Sequence, residues 1–163
     1  IKIDAIGKNI RAKMLEILHD EDKEDQKEEK KEIVYPYPAQ KVLVIDDEKD
    51  FCEALKKVLE MRGNFYVITA SDAAEGLILA KIEQPDIILL DIVMPTKGGP
   101  EIAEELRADP ATKSIPIIFI TAIVRENKIQ KRKGLIGGHA FMAKPVQIDD
   151  LIGKISVMTQ ARH

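Results

Sequence analysis

Tryptophan is absent, aromatic residues make up only 4% of the chain, and Cys52 is the single cysteine among 163 residues. Without aromatic density there is no platform on which nucleic-acid bases would stack. A single cysteine excludes an internal disulfide and suits a reducing compartment, so a cytoplasmic location is expected. Cys52 falls inside a helical pattern and reads as a buried structural thiol. No apolar run approaches the roughly 20 residues of a membrane span, and nothing resembles a signal peptide. The net charge of -3 offers no global attraction to DNA or to anionic membranes, so neither is an expected direct partner. What is present is ordinary for a soluble globular domain: 45% apolar and 33% charged residues, enough for one domain with an appendage. The chain begins at Ile1 rather than Met, which leaves open that it is a piece of something longer.

The appendage is residues 1–38 and the domain residues 39–163. Ile3, Ile6, Ile10, Met14, Ile17 and Leu18 recur at spacings of three and four, which predicts an N-terminal helix. Its apolar stripe is narrow, close to a heptad seam. Pairing in a homodimer, packing on the main domain and the tail of a removed domain all fit that stripe equally well. Asp20–Glu32 is a charge run with eight acidic and four basic residues, read as solvated linker or exposed helix. Tyr35-Pro36-Tyr37-Pro38 then punctuates the chain, because each proline pushes its predecessor into extended backbone.

Beyond this boundary strands and helices alternate. Val42–Ile45 is an apolar run that ends in Asp46-Asp47-Glu48. Helical spacing follows through Phe51, Ala54, Leu55, Val58, Leu59 and Met61, closed by Gly63-Asn64. Tyr66–Thr69 is a second strand, and Ser71 or Asp72 caps the next helix, which stops before Pro85. Ile87–Leu90 reads as a strand buried on both faces; Asp91 closes it and Pro95 stops its continuation. Pro100 fits the first turn of a third helix, with Ile102, Ala103 and Leu106 on its buried side. A fourth strand over 116–121 precedes a basic helix, Arg125–Lys133, and glycines 134, 137 and 138. A short fifth strand, His139–Met142, ends at Lys144-Pro145. The last helix carries Ile148, Leu151, Ile152, Ile155 and Met158, with Asp149 and Asp150 in the first turn where the dipole favours them.

Such alternation predicts an α/β fold with right-handed crossovers, a doubly wound parallel sheet of (βα)5 type with an N-terminal helical extension. The economical strand order is the flavodoxin-like 2-1-3-4-5. That order brings Asp46, Asp47, Asp91, Thr121 and Lys144 to one rim of the sheet, at the carboxyl ends of the strands where such folds place ligands. An acidic residue closing one strand is ordinarily only a cap; acids and a lysine each closing a different strand imply more. Three carboxylates in one pocket repel, at roughly 4 kcal/mol per pair for about 4 Å and an effective dielectric near 20. They would raise one another's pKa values or recruit a cation. Hard oxygen ligands of this kind suit Mg²⁺, expected at Asp46, Asp47 and Asp91. With the charge neutralised, Asp91 can attack phosphorus and form an aspartyl-phosphate, Lys144 and the Thr121 hydroxyl serving the phosphoryl oxygens.

Taken together, Val42–Glu48, Pro85–Pro95, Ile115–Ala122 and Phe141–Pro145 resemble the receiver domain of two-component response regulators. The resemblance runs from residue 40 to about 160, and its order and spacing are specific where each piece alone is weak. It implies that Asp91 accepts a phosphoryl group from a histidine kinase or phosphotransfer protein. It also implies that Asp47, Asp91 and the Val93 carbonyl ligate Mg²⁺, with Asp46 acting mainly through water. Thr121 and Phe141 become the switch pair, and Lys144-Pro145 a cis peptide. Phosphorylation adds about -1.5 to -2 charges; Thr121 moves toward it and Phe141 rotates inward from an exposed position. The face of the fourth helix, fifth strand and fifth helix, which carries Arg125, Lys128, Lys131, Arg132 and Lys133, then changes for a downstream protein target, expected to be acidic.

Two departures from the family pattern stand out. Gly98-Gly99 replaces the usual Asp-Gly and is expected to loosen the phosphorylation loop, and the run before Phe141 is about one residue short. His139 reads as a surface or strand-edge residue rather than a metal ligand. Val93 and Ile123 are apolar where they flank the path of attacking water, so slow self-dephosphorylation is expected. The domain is expected to act only on itself, as a phosphoacceptor rather than an enzyme, with no output domain after its last helix. The competing class is an interaction or dimerisation module that keeps the fold without phosphorylation, which would have no need of the acidic triad, Thr121 and Lys144. A phosphatase working through an aspartyl-phosphate would want an acid at 93, where valine stands.

Overall fold

In the computed structural model, residues 38–122, 135–136 and 139–160 are described, all within the unit Tyr35–His163. The expected N-terminal helix, the charge run, Ile123, the basic helix over Arg125–Lys133 and the glycines at 134, 137 and 138 lie outside the described residues.

The aliphatic runs form strands because β-branched residues pack well on a pleated surface covered from both sides. In chain order the elements are β1 (Gln40–Ile45), α1 (Lys49–Arg62), β2 (Phe65–Ala70), α2 (Ala73–Glu83), β3 (Ile87–Asp91), α3 (Gly99–Ala108), β4 (Ile117–Thr121), β5 (Leu135–Ile136), β6 (His139–Ala143) and α4 (Ile148–Gln160). The sheet order is β2-β1-β3-β4-β6-β5. Its five parallel strands therefore follow the expected 2-1-3-4-5 order. The unforeseen addition is β5, which pairs antiparallel with β6 through Leu135 and Ile136. Two residues are too few to carry a period in the sequence.

Period-two alternation sends neighbouring side chains to opposite faces. Val42, Val44, Ile87, Leu89, Ile118 and Ile120 meet Leu55 and Leu59 of α1 and Leu151 and Ile155 of α4. Leu43, Ile45, Ile88, Leu90 and Phe119 meet Ala80 of α2 and Ile102 and Leu106 of α3 on the other face. Every residue of β3 and β4 is buried. At about 1.5–3 kcal/mol per fully buried aliphatic side chain, these two layers dominate the stability of the fold.

The helix ends follow local chemistry. Asp72 caps α2 by accepting the Glu75 backbone N–H at 2.8 Å, while the Glu75 carboxylate accepts the Ser71 N–H at 2.9 Å. Gln84, with φ 48°, closes α2 in the left-handed region just before Pro85. Pro100 stands in the first turn of α3, where its missing N–H costs nothing. The Lys144–Pro145 peptide is cis. Cys52 is buried on α1, as its position in the helical pattern implied.

Candidate functional site

Parallel strands cut to matched lengths present their last residues along a common rim. β1 ends one residue before Asp46, β3 ends on Asp91, β4 on Thr121 and β6 one residue before Lys144. The registers align these ends: Ile45 pairs with Leu90, Asp91 with Ile120 and Thr121 with Ala143. The Lys144 N–H donates to the Thr121 carbonyl at 2.9 Å, which ties the lysine backbone to the end of β4. Asp47, Asp91, Val93, Thr121 and Lys144 line one cavity of about 370 Å³, together with Glu48 and Ala122.

Asp46 and Asp91 are buried, Asp47 is exposed, and ligand oxygens of the three lie within 4.8 Å of one another. Among the described residues they are the one group of carboxylates, histidines and thiols that could hold a metal ion. The donor set fits such a group: three hard carboxylates in a half-sealed pocket repel one another unless a cation intervenes. Asp46 accepts the Glu48 backbone N–H at 2.9 Å through one oxygen and the Lys144 ammonium at 2.7 Å through the other. Asp91 accepts a long contact from the Val93 N–H, 3.4 Å. Burial, then the neighbouring Asp46 charge, push its carboxyl up to about 6. Burial works against the Lys144 ammonium, but hydrogen bonds to Asp46 and Glu48 prevail and hold its pKa above the ordinary value. Burial likewise lifts the Cys52 thiol to about 12, helped by Asp46; its Sγ donates to the Asp46 carbonyl at 3.4 Å. That thiol is neutral at physiological pH and structural.

Two details of this rim were not foreseen. Glu48 caps α1 by position, yet its carboxylate makes no capping bond and instead accepts the Lys144 ammonium at 2.8 Å. The Phe51 ring lies beneath the same ammonium, 4.2 Å from it to the ring centroid. The signal was present in the acidic run Asp46-Asp47-Glu48 and in Phe51, three residues on along the first helical turn. Gly99 is the other case. A Cβ there would stand 2.4 Å from the Asp91 carbonyl oxygen and 2.9 Å from the Ile92 Cα, and its N–H donates to the Ile92 carbonyl at 2.9 Å. This glycine lets α3 lie directly against the backbone of Asp91.

The expected starting position of Phe141 is corrected: it is 7% exposed, packed inward. On β6 it registers with Phe119 and shares the layer of Leu90, Ile102 and Leu106, so alternation turns it inward. A phenylalanine ring needs no hydrogen-bond partner there. His139 stands two residues earlier, half-buried, with its ring edge-on to Phe119 at 5.5 Å. Its Nε2 meets the Arg107 guanidinium. Arginine only donates, so Nε2 accepts and the imidazole is neutral; burial and then the Arg107 charge hold its pKa below the ordinary value. It is the first residue of β6. Val93, expected to offer its carbonyl, lines the cavity and is 52% exposed.

Comparison with known proteins agrees with this geometry. The family model of the response regulator receiver domain matches residues 42–156. The transcriptional regulatory protein CpxR of Klebsiella pneumoniae is 32% identical over 124 residues, 76% of this chain and 50% of that protein. The alkaline phosphatase synthesis transcriptional regulatory protein PhoP of Bacillus subtilis is 39% identical over 106 residues, 64% of this chain and 42% of that protein. The chain thus spans about half the length of these curated relatives. Among solved structures, the receiver domain of Francisella response regulator 1452 superposes with a TM-score of 0.64 at 30% identity, covering 76% of this chain and 99% of that one. The chemotaxis protein CheY4 of Vibrio cholerae gives 0.63 at 28% identity, covering 74% and 98%. Fold, rim and sequence agree, and the chain belongs to the response regulator receiver domain family.

Proposed function

We propose that Asp91 is the phosphoacceptor of a two-component relay, charged by a histidine kinase or a phosphotransfer protein. One observation carries the reading: Asp91 closes a buried central strand in a cavity shared with Asp47, Thr121 and Lys144. Its carboxyl, pushed up to about 6, is ionised at neutral pH and more basic than an ordinary aspartate. In the transfer, a carboxylate oxygen of Asp91 bonds to phosphorus as the donor's phosphorus–nitrogen bond breaks. The electron pair leaves with the donor imidazole, which takes a proton from solvent. Lys144 donates to one phosphoryl oxygen and the Thr121 hydroxyl to another. Asp47, Asp91 and the Val93 carbonyl would hold Mg²⁺, with Asp46 beside them in the same acidic cluster. When bound, the ion neutralises the carboxylates and the charge on the incoming phosphoryl oxygens.

Thr121 and Phe141 form the switch. Because Phe141 already packs inward, the aspartyl-phosphate stabilises an inward state that the unmodified domain also occupies. The output is a changed face around β6 and α4, read by a downstream protein. No direct nucleic-acid contact is proposed for this domain, on its net charge of -3 and its few aromatics. The relatives that are transcriptional regulators extend well beyond the matched stretch. Residues 39–163 are the receiver and residues 1–38 an extension able to pair in a dimer. The domain acts only on itself, and its place is the cytoplasm. Among the described residues no helix is long and apolar enough to cross a membrane.

Incubation with acetyl phosphate, with and without Mg²⁺, tests the reading by intact mass. The expected result is one phosphoryl adduct that requires Mg²⁺ and is absent from Asp91→Ala. A wild-type chain that never takes the adduct overturns it, and leaves the unphosphorylated interaction module standing.

A further inference from the structure

The contacts of Lys144 point to a residue that restrains the catalytic lysine. Its ammonium is held from three sides: Asp46 at 2.7 Å, Glu48 at 2.8 Å and the face of Phe51 at 4.2 Å. Its ion pairs among the described residues do not include Asp91. The three holders differ in kind. Asp46 is buried and belongs to the cluster where a cation fits, and Phe51 is a half-buried floor. Glu48 has a side chain 63% exposed and reaches the lysine instead of capping its own helix. It is therefore the one holder that solvent can readily replace.

We propose that Glu48 is a positioning residue that parks Lys144 away from the incoming phosphoryl group and slows acceptor loading. The inference rests on the reading of Asp91 as phosphoacceptor. An ammonium has three N–H donors, and two of them point at Asp46 and Glu48. A phosphoryl oxygen must claim the third donor or displace one of these partners. The same ammonium lies over the Phe51 ring, so the lysine must give up an ion pair and a ring contact together to swing toward Asp91. An exposed pair of this kind is worth a factor of about two to five in rate or equilibrium.

The experiment is phosphorylation of the full chain by acetyl phosphate with Mg²⁺, followed as initial rate against donor concentration. Glu48→Gln keeps the shape and removes the charge; it should load about two- to fivefold faster at low donor. The same substitution in a Lys144→Gln background should change nothing, because the effect passes through the lysine. A gain that persists in that background is bulk charge repulsion and overturns the proposal, as does an unchanged or slower single variant. The ¹⁵Nζ resonance of Lys144 supplies a readout independent of turnover. It must move on Glu48→Gln, and an unmoved resonance also overturns the proposal. A wild-type chain that takes no phosphoryl group defeats the phosphoacceptor reading itself; a chain that loads on Asp91 with no Glu48 effect defeats only this inference.

Discussion

Leu89 and Asp91 stand two residues apart on β3, point to the same side of the sheet, and are 1% and 6% exposed. For the leucine, leaving water contributes about 1.5–3 kcal/mol to the fold. For the aspartate the same move is unfavourable, and its carboxyl answers by rising to about 6. The strand interior is built for stability and the last position of the same strand spends some of it. A buried acid beside a second buried acid, with no ion pair of its own among the described residues, is an arrangement that stability alone does not produce.

Substitutions on the two sides of that divide should behave oppositely. The largest effect is expected in the interior. Leu89→Ala should lose about 2–5 kcal/mol in urea unfolding, because neighbours in a two-sided core cannot collapse into the gap. A loss below about 1 kcal/mol would show a softer core than the packing implies. Gly99→Ala comes next, at about 1–3 kcal/mol, since the clash is with the backbone of Asp91 and Ile92 rather than with a side chain that can turn aside. Phosphoacceptor loading should slow with it, and an unaffected Gly99→Ala would show that the loop has room after all.

Asp91→Asn should change stability with the opposite sign. Without divalent metal at pH 7 it should gain about 1–2 kcal/mol. The folded pKa near 6 lies above the ordinary 3.8, so the folded chain binds more protons than the unfolded one between those values. Wild-type stability therefore falls as pH rises through that window, and the advantage of Asn should vanish below about pH 4. A constant difference across pH would contradict the assignment. The smallest change concerns only kinetics. Val93→Asn with a polar residue at Ile123 should speed loss of the aspartyl-phosphate severalfold; unchanged decay would remove any role for apolar shielding.

Much of this was legible in the sequence for one reason. The candidate residues of the rim stand at the ends of four strands, and the economical doubly wound order sets those ends side by side. Asp46, Asp47, Asp91, Thr121 and Lys144 thus meet without any knowledge of side-chain geometry. What the sequence did not reveal depends on reach rather than order. The Glu48 carboxylate forgoes its own helix for a lysine 96 residues away, a choice that rotamers make. The close approach of Gly99 is a distance between backbones, invisible in a Gly-Gly pair. Phe141 was within reach of the argument: alternation along β6 puts it on the layer opposite to Ala140 and Met142, facing inward. The family habit of an outward aromatic obscured that reading.

The central claim is that one buried oxygen, on Asp91, becomes bonded to phosphorus. Borohydride reduction of the chain after acetyl phosphate and Mg²⁺ treatment, followed by peptide sequencing in a mass spectrometer, reads that atom directly. Homoserine should appear at position 91 and only there, and not at all when metal is withheld. Reduction at position 46 or 47, or an unmodified 91 in a chain that has gained a phosphoryl group, would contradict the account.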